Sequence, residues 1–133
     1  MDNKDVVVRE EQTGLGSIRI ADEVVRVIAG LAATEVPGVA GMSGGVAGGI
    51  AEMLGRKNLS KGVKVEVGEK EAAVDMFVIV DYGVRIPEVA AEIQEKVKKA
   101  IEAMTGLSVV EVNVNVQGVA FGPEGKEEEH RVR

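Results

Sequence analysis

The 133-residue chain contains no cysteine, no tryptophan, a single histidine, one tyrosine and two phenylalanines. Without cysteine there are no disulfides, no thiolate metal sites and no thiol nucleophile. The histidine, His130, stands beside Glu127, Glu128 and Glu129 in a charged tail. It reads as part of a solvated charge run, so a Ser-His-Asp arrangement has no histidine within the patterned part of the chain. So few rings leave little for base stacking. A net charge of −6 argues against generic affinity for nucleic acid or anionic lipid. Long apolar runs are also missing. The first residues, MDNKDVVVREEQTG, are polar, so neither a signal peptide nor a membrane-spanning helix is expected and the expected location is cytoplasmic.

What is present is pattern. At 45% hydrophobic and 29% charged, the composition is that of a globular domain, and the length suits one core. Residues 1–14 read as a flexible arm in which Val6, Val7 and Val8 could add a short edge strand. GSIRI, residues 16–20, predicts a strand with Ile18 and Ile20 inward. Asp22 is placed to cap the next helix, whose apolar face is expected at Val24, Val27, Ile28 and Leu31, with Pro37-Gly38 as its stop. Val39–Met42 reads as a brief extended piece. Val63, Val65 and Val67 alternate with Lys64 and Glu66, and residues 73–82 return after a turn at Gly68-Glu69-Lys70, which predicts an antiparallel hairpin.

A longer helix follows. Val89, Ile93, Val97, Ala100, Ile101 and Met104 share one face, Pro87 suits the first turn, and Thr105-Gly106 marks the end. Val110, Val112, Val114 and Val116 then alternate with Glu111, Asn113, Asn115 and Gln117, a half-buried strand with its valines toward the core. The order β-α-β-β-α-β, with a glycine-rich insert at residues 43–62, predicts an α+β two-layer sandwich: a mixed four-stranded sheet with both helices on one face. The domain is expected to span residues 15–121, and residues 122–133 to form a disordered charged tail.

The segments GSIRIADEVVRVIAGLAATEVPGVAGM, KGVKVEV, VIVDYGVRIPEVAAEIQEKVKKAIEAMTGL and VVEVNVNVQGV resemble the alkaline shock protein, or envelope stress response, family of Gram-positive bacteria. The resemblance covers about residues 15–121, and the run from the second helix through MTGL to EVNV is its most specific part. It implies a small non-enzymatic cytoplasmic protein tied to cell-envelope homeostasis. Some members are held at the membrane by a separate membrane protein or form assemblies. The expected partners are therefore further copies of the chain and a membrane-anchoring protein, with no direct membrane insertion. The family has no catalytic motif to carry over.

The residues themselves offer little chemistry. Asp75 and Asp81 point the same way from one strand, but at about 3.3 Å per residue they lie roughly 20 Å apart, too far to share a metal or a proton. Glu92 with Lys96, and Glu95 with Lys99, read as pairs on a wet helix face. Gly44-Gly45-Val46-Ala47-Gly48-Gly49 has the spacing of half a phosphate loop, but Ile50-Ala51 stand where lysine and a hydroxyl are needed. No cofactor and no metal site is expected. Gly45-Val46-Ala47-Gly48 also reads as a GxxG. With the basic patch Arg56, Lys57, Lys61 and Lys64, it supports an alternative reading as a KH-like nucleic-acid-binding domain. GxxG is common by chance in a chain with 17 glycines, and its inner positions here are apolar rather than basic.

If both helices cover one face of the sheet, the other is left bare. Alternation turns Phe77 and Ile79, with Asn113, Asn115 and Gln117, onto that bare face, beside Lys64 and Glu66. An apolar centre with a polar rim has the composition of an interface. These five residues are the candidate interaction site.

Overall fold

The structure, a computed structural model, describes residues 7–43, 60–68 and 70–121. Strand β1 (Val7–Thr13) pairs antiparallel with β2 (Gly16–Ala21), and helix α1 (Asp22–Thr34) follows directly. Strands β3 (Val39–Met42), β4 (Val63–Val67) and β5 (Glu71–Asp81) come next, then helix α2 (Ile86–Thr105) and strand β6 (Ser108–Ala120). The fold is the α+β sandwich expected from the pattern, with β3, β4, β5 and β6 in a mixed four-stranded sheet and β1–β2 as a separate two-stranded ribbon.

Strand β5 is the centre of the sheet. Along one edge it pairs antiparallel with β4 over Ala72–Met76 and with β3 over Val78–Val80. Between them the Ser43 N–H donates to the Phe77 carbonyl and the Phe77 N–H to the Gly62 carbonyl, each at 2.8 Å. Strands β3 and β4 are thus two halves of one edge line, and the chain leaves that line between residues 43 and 62. The junction leaves no space: a Cβ on Gly62 would stand 2.8 Å from the Phe77 carbonyl oxygen and 2.9 Å from Met42 Cβ. Along its other edge β5 pairs parallel with β6 over its whole length. A parallel neighbour needs a crossover, and α2 provides it.

The core lies between the sheet and the helices. Strand β5 alternates strictly: Val74, Met76, Val78 and Val80 are 0–1% exposed, whereas Ala73, Asp75, Phe77 and Ile79 are half-buried on the other side. Helix α2 contributes Val89, Ile93, Val97 and Ile101, and α1 contributes Val25, Ile28, Ala29, Ala32 and Ala33. Each fully buried valine or isoleucine contributes roughly 1.5–3 kcal/mol. Gly106 ends α2 at φ 81°, the left-handed conformation that the Thr105-Gly106 pair predicts.

The structure corrects several details. Strand β2, expected as one of the four strands of the sheet, does not join it, and β3, expected only as a brief extended piece, is the fourth strand. No residue separates Ala21 from Asp22, so α1 cannot double back over β2 as a βα unit with a connecting loop would. Ile18, expected inward, is therefore 55% exposed. Ala21, not Asp22, is the N-cap of α1, and Asp22 instead receives Arg26 at 2.7 Å. The buried face of α1 is rotated from the expected one: Val24 and Leu31 are 44% and 48% exposed. The buried face instead carries Ala29, Ala32 and Ala33 beside Val25 and Ile28, and α1 packs against α2. Met104, expected in the α2 core face, is 68% exposed. Val110, expected inward, is 59% exposed because it is the extra residue of a bulge, standing between partners Ala72↔Val109 and Ala73↔Glu111.

Candidate interaction surface

The face of the sheet opposite the helices is built on β5. Phe77 and Ile79 sit at its middle, flanked along the strand by Ala73 and Asp75. Register places Lys64 opposite Asp75 and Glu66 opposite Ala73 on one side, and Asn113 opposite Asp75 and Asn115 opposite Phe77 on the other. Gln117 lies between the partners Val78↔Val116 and Ile79↔Gly118, a second bulge in β6. Phe77, Ile79, Asn113, Asn115 and Gln117 are thereby brought to one surface. The first two are half-buried and the three amides exposed.

The polar groups around the apolar centre are tied down. Asn113 Nδ2 donates to Asp75 Oδ1 at 2.8 Å, and Asn115 Nδ2 donates to the Met76 carbonyl at 3.1 Å. The Ser43 hydroxyl donates to Gln117 Oε1 at 3.0 Å, from the far side of β5. Lys64 Nζ stands 5.6 Å from the centre of the Phe77 ring, within range of a cation–π contact worth about 0.5–1 kcal/mol at an exposed site. Ile79 leans over Gly118, its Cγ1 3.6 Å from where a Cβ would be. The rim is therefore held in place by the chain's own hydrogen bonds. Alternation alone did not reveal Ser43, nor the edge-to-face pair of Tyr82 and Phe121 at the end of the sheet, 5.5 Å between centroids.

The β1–β2 ribbon is exposed from Glu10 to Arg19, and Ile20 near its base packs against the core. Of the basic patch, Lys61 and Lys64 are exposed on the described chain. Arg56, Lys57 and the GxxG at 45–48 lie outside the described residues, as does His130. Among the described residues, no group of His, Cys, Asp or Glu could hold a metal, and no helix is long and apolar enough to cross a membrane. A shallow cavity of about 240 Å³ at the β4–β5 turn is lined by Glu66, Val67, Gly68, Glu71, Ala72, Ala73 and Val110. It carries no cationic group or nucleophile.

Among the described residues, one carboxyl is clearly shifted, on the helix side. Glu102 Oε2 accepts from the Val109 N–H at 2.9 Å and from Lys98 Nζ at 3.0 Å, and Lys98 Nζ also donates to the Val109 carbonyl at 2.9 Å. The Val109 amide first, then Lys98, hold the Glu102 carboxyl below its ordinary value. This clamp fixes the start of β6 to the end of α2. It is structural, and it faces away from the open sheet.

Among the described residues, the helices cover one face of the sheet, and the other carries Phe77 and Ile79 inside a rim of hydrogen-bonded amides. The chain belongs to the alkaline shock protein 23 family, described as having a cell envelope-related function, which it matches over residues 10–121. It is 42% identical over 126 residues to the uncharacterized protein YqhY of Bacillus subtilis, covering 95% of this chain and 93% of that one. It is 40% identical over 112 residues to YloU of the same organism, covering 83% and 93%. A stress response regulator gls24 homolog of Streptococcus pyogenes is 35% identical over 102 residues, covering 76% of this chain and 57% of that protein. Among solved structures, a MamM CTD aligns at a TM-score of 0.46 and 22% identity over 73% of this chain and 94% of that one, too slight a likeness to bear on function.

Proposed function

We propose that this chain is a non-enzymatic protein-interaction module of the envelope stress response. It works by self-association, by binding a membrane-anchoring partner, or by both. It acts in the cytoplasm, at the inner face of the cell membrane where such a partner holds it, and the open face of the sheet is the docking surface for that partner. The observation that carries this reading is the half-buried pair Phe77 and Ile79 at the centre of a face whose amides are already hydrogen-bonded into place. A merely solvated sheet face would carry charges or threonines there; an apolar centre inside a polar rim is how interfaces are composed. The family description and the stress-response name of a relative support the setting.

The test is Phe77→Asp, followed by capture from the native host with membranes retained. The variant is expected to keep its circular dichroism spectrum and to lose the membrane-associated partner that the unaltered chain captures. If the variant unfolds, Phe77 is core and the face is covered by the chain itself. If it captures the same partner, docking lies elsewhere.

A further inference from the structure

Strand β6 is an edge strand, since β5 is its sole partner in the sheet among the described residues. Its two ends show which way its backbone points. The Ser108 N–H donates to the Lys70 carbonyl and the Ala120 carbonyl accepts from the Tyr82 N–H, both on the β5 side. The opposite edge is bonded at its start by α2 side chains: Glu102 and Lys98 take the N–H and carbonyl of Val109, and Gln94 Nε2 donates to the Val112 carbonyl at 3.0 Å. Alternation, corrected for the bulges at Val110 and Gln117, then turns the N–H and carbonyl of Val114, Val116 and Val119 outward. No described side chain reaches these groups.

Proteins normally blunt such an edge with lysine, proline, short strands or a covering segment. The other edge of this sheet follows that rule. It is split between β3 and β4, and it carries Lys64 and Glu66. The β1–β2 ribbon carries Glu10, Glu11 and Arg19. From Asn113 to Ala120, by contrast, β6 reads NVNVQGVA, without a charge or a proline. It is also self-complementary. Set antiparallel to a second copy about a twofold axis at Asn115, Val114 faces the partner's Val116 and Val116 faces the partner's Val114. Those are the positions whose backbone groups point outward, so both pairs exchange reciprocal N–H to carbonyl bonds. Asn115 then faces the partner's Asn115 and Asn113 faces the partner's Gln117, amide against amide on the open face, while valine meets valine on the helix side. A charge at 115 would face its own copy across the axis, and the segment carries no charge at all.

We propose that the edge of β6 from Asn113 to Gln117 is the self-association surface, and that its occupant is the same segment of a second copy. It shares Asn113, Asn115 and Gln117 with the rim of the open face but is carried by the backbone edge of β6, so it does not depend on what docks over Phe77 and Ile79.

Sedimentation equilibrium and amide hydrogen exchange on the whole chain test this. The unaltered protein is expected to show a species of twice 14.0 kDa. The Val114 and Val116 amides are expected to exchange on the order of ten-fold more slowly at high than at low concentration. Val116→Pro removes an outward N–H that β5 does not use and is expected to give the monomer, whereas Phe77→Asp leaves the pairing intact. A wild-type protein monomeric at all concentrations, or a Val116→Pro dimer, overturns the proposal. Should Val116→Pro fail to fold, exchange in the unaltered chain decides: rapid exchange of Val114 and Val116 at high concentration overturns it, even if the protein is dimeric through another surface.

Discussion

Glu102 ties the last turn of one helix to the first residues of the next strand, and pH reports on it. Its carboxyl is held below its ordinary value of 4.5, so its stabilising effect is fully present above that pH and is lost as pH falls through the lowered value. Glu102→Gln is therefore expected to be less stable than the unaltered chain at neutral pH. The gap between their denaturant midpoints should close as pH is taken below 4.5. A gap of constant size across that range would mean the carboxylate charge has no part in the clamp. Gly106 is the other residue that stands alone. At φ 81° a side chain is strained, and Gly106→Ala should cost about 1 kcal/mol in denaturant unfolding. Gly106 was legible from the sequence, because a glycine after the last apolar position of a helix has one common use. The clamp was not, since it joins residues whose meeting depends on how β6 packs under α2.

Elements were readable where one periodicity ruled. Strand β5 and helix α2 were placed by their patterns because each buries one regular face against a large neighbour. Misreadings arose where geometry overrode pattern. In α1 the larger side chains suggested the face, but Ala29, Ala32 and Ala33 are buried while Val24 and Leu31 are exposed. In β6 the run of valines conceals two bulges, which no alternation count registers. The consequence is measurable. Val110→Thr, on the exposed bulge, should change stability by less than about 0.5 kcal/mol. Val112→Thr puts a hydroxyl where Val112 is 8% exposed and should cost about 1–3 kcal/mol. Equal costs at the two positions would mean that β6 has no bulge at Val110.

The whole molecule is asymmetric. One face of its sheet carries two helices and the core; the other carries Phe77, Ile79 and a set of pinned amides. That asymmetry was predictable, because two amphipathic helices joined by short connections to one sheet share a side. The five candidate residues followed from alternation alone. What pins them did not: Ser43 reaches Gln117 across β5, a pairing 74 positions apart in sequence. Nor could the pattern show that β3 and β4 form one interrupted edge, with the glycine-rich segment leaving at its middle. The junction should be intolerant of any added carbon, and Gly62→Ala is expected to cost about 1–3 kcal/mol through overpacking against Met42 and the Phe77 carbonyl. An unchanged denaturant midpoint would show that the two halves do not meet.

A partner docked on the open face would cover that face in the cell and leave the exposed side of α2 free. The absence of cysteine makes this directly measurable, since any introduced thiol is unique. Asp75→Cys places one on the open face of the central strand, away from both edges, and Glu95→Cys places one on the exposed side of α2. Each variant is treated with a maleimide in permeabilised cells of the native host and again after purification. The thiol at 75 is expected to be protected in the cell and reactive once purified, with the thiol at 95 reactive in both. Equal labelling of the thiol at 75 in the two settings, or protection at 95 instead, would mean that no partner docks on the open face.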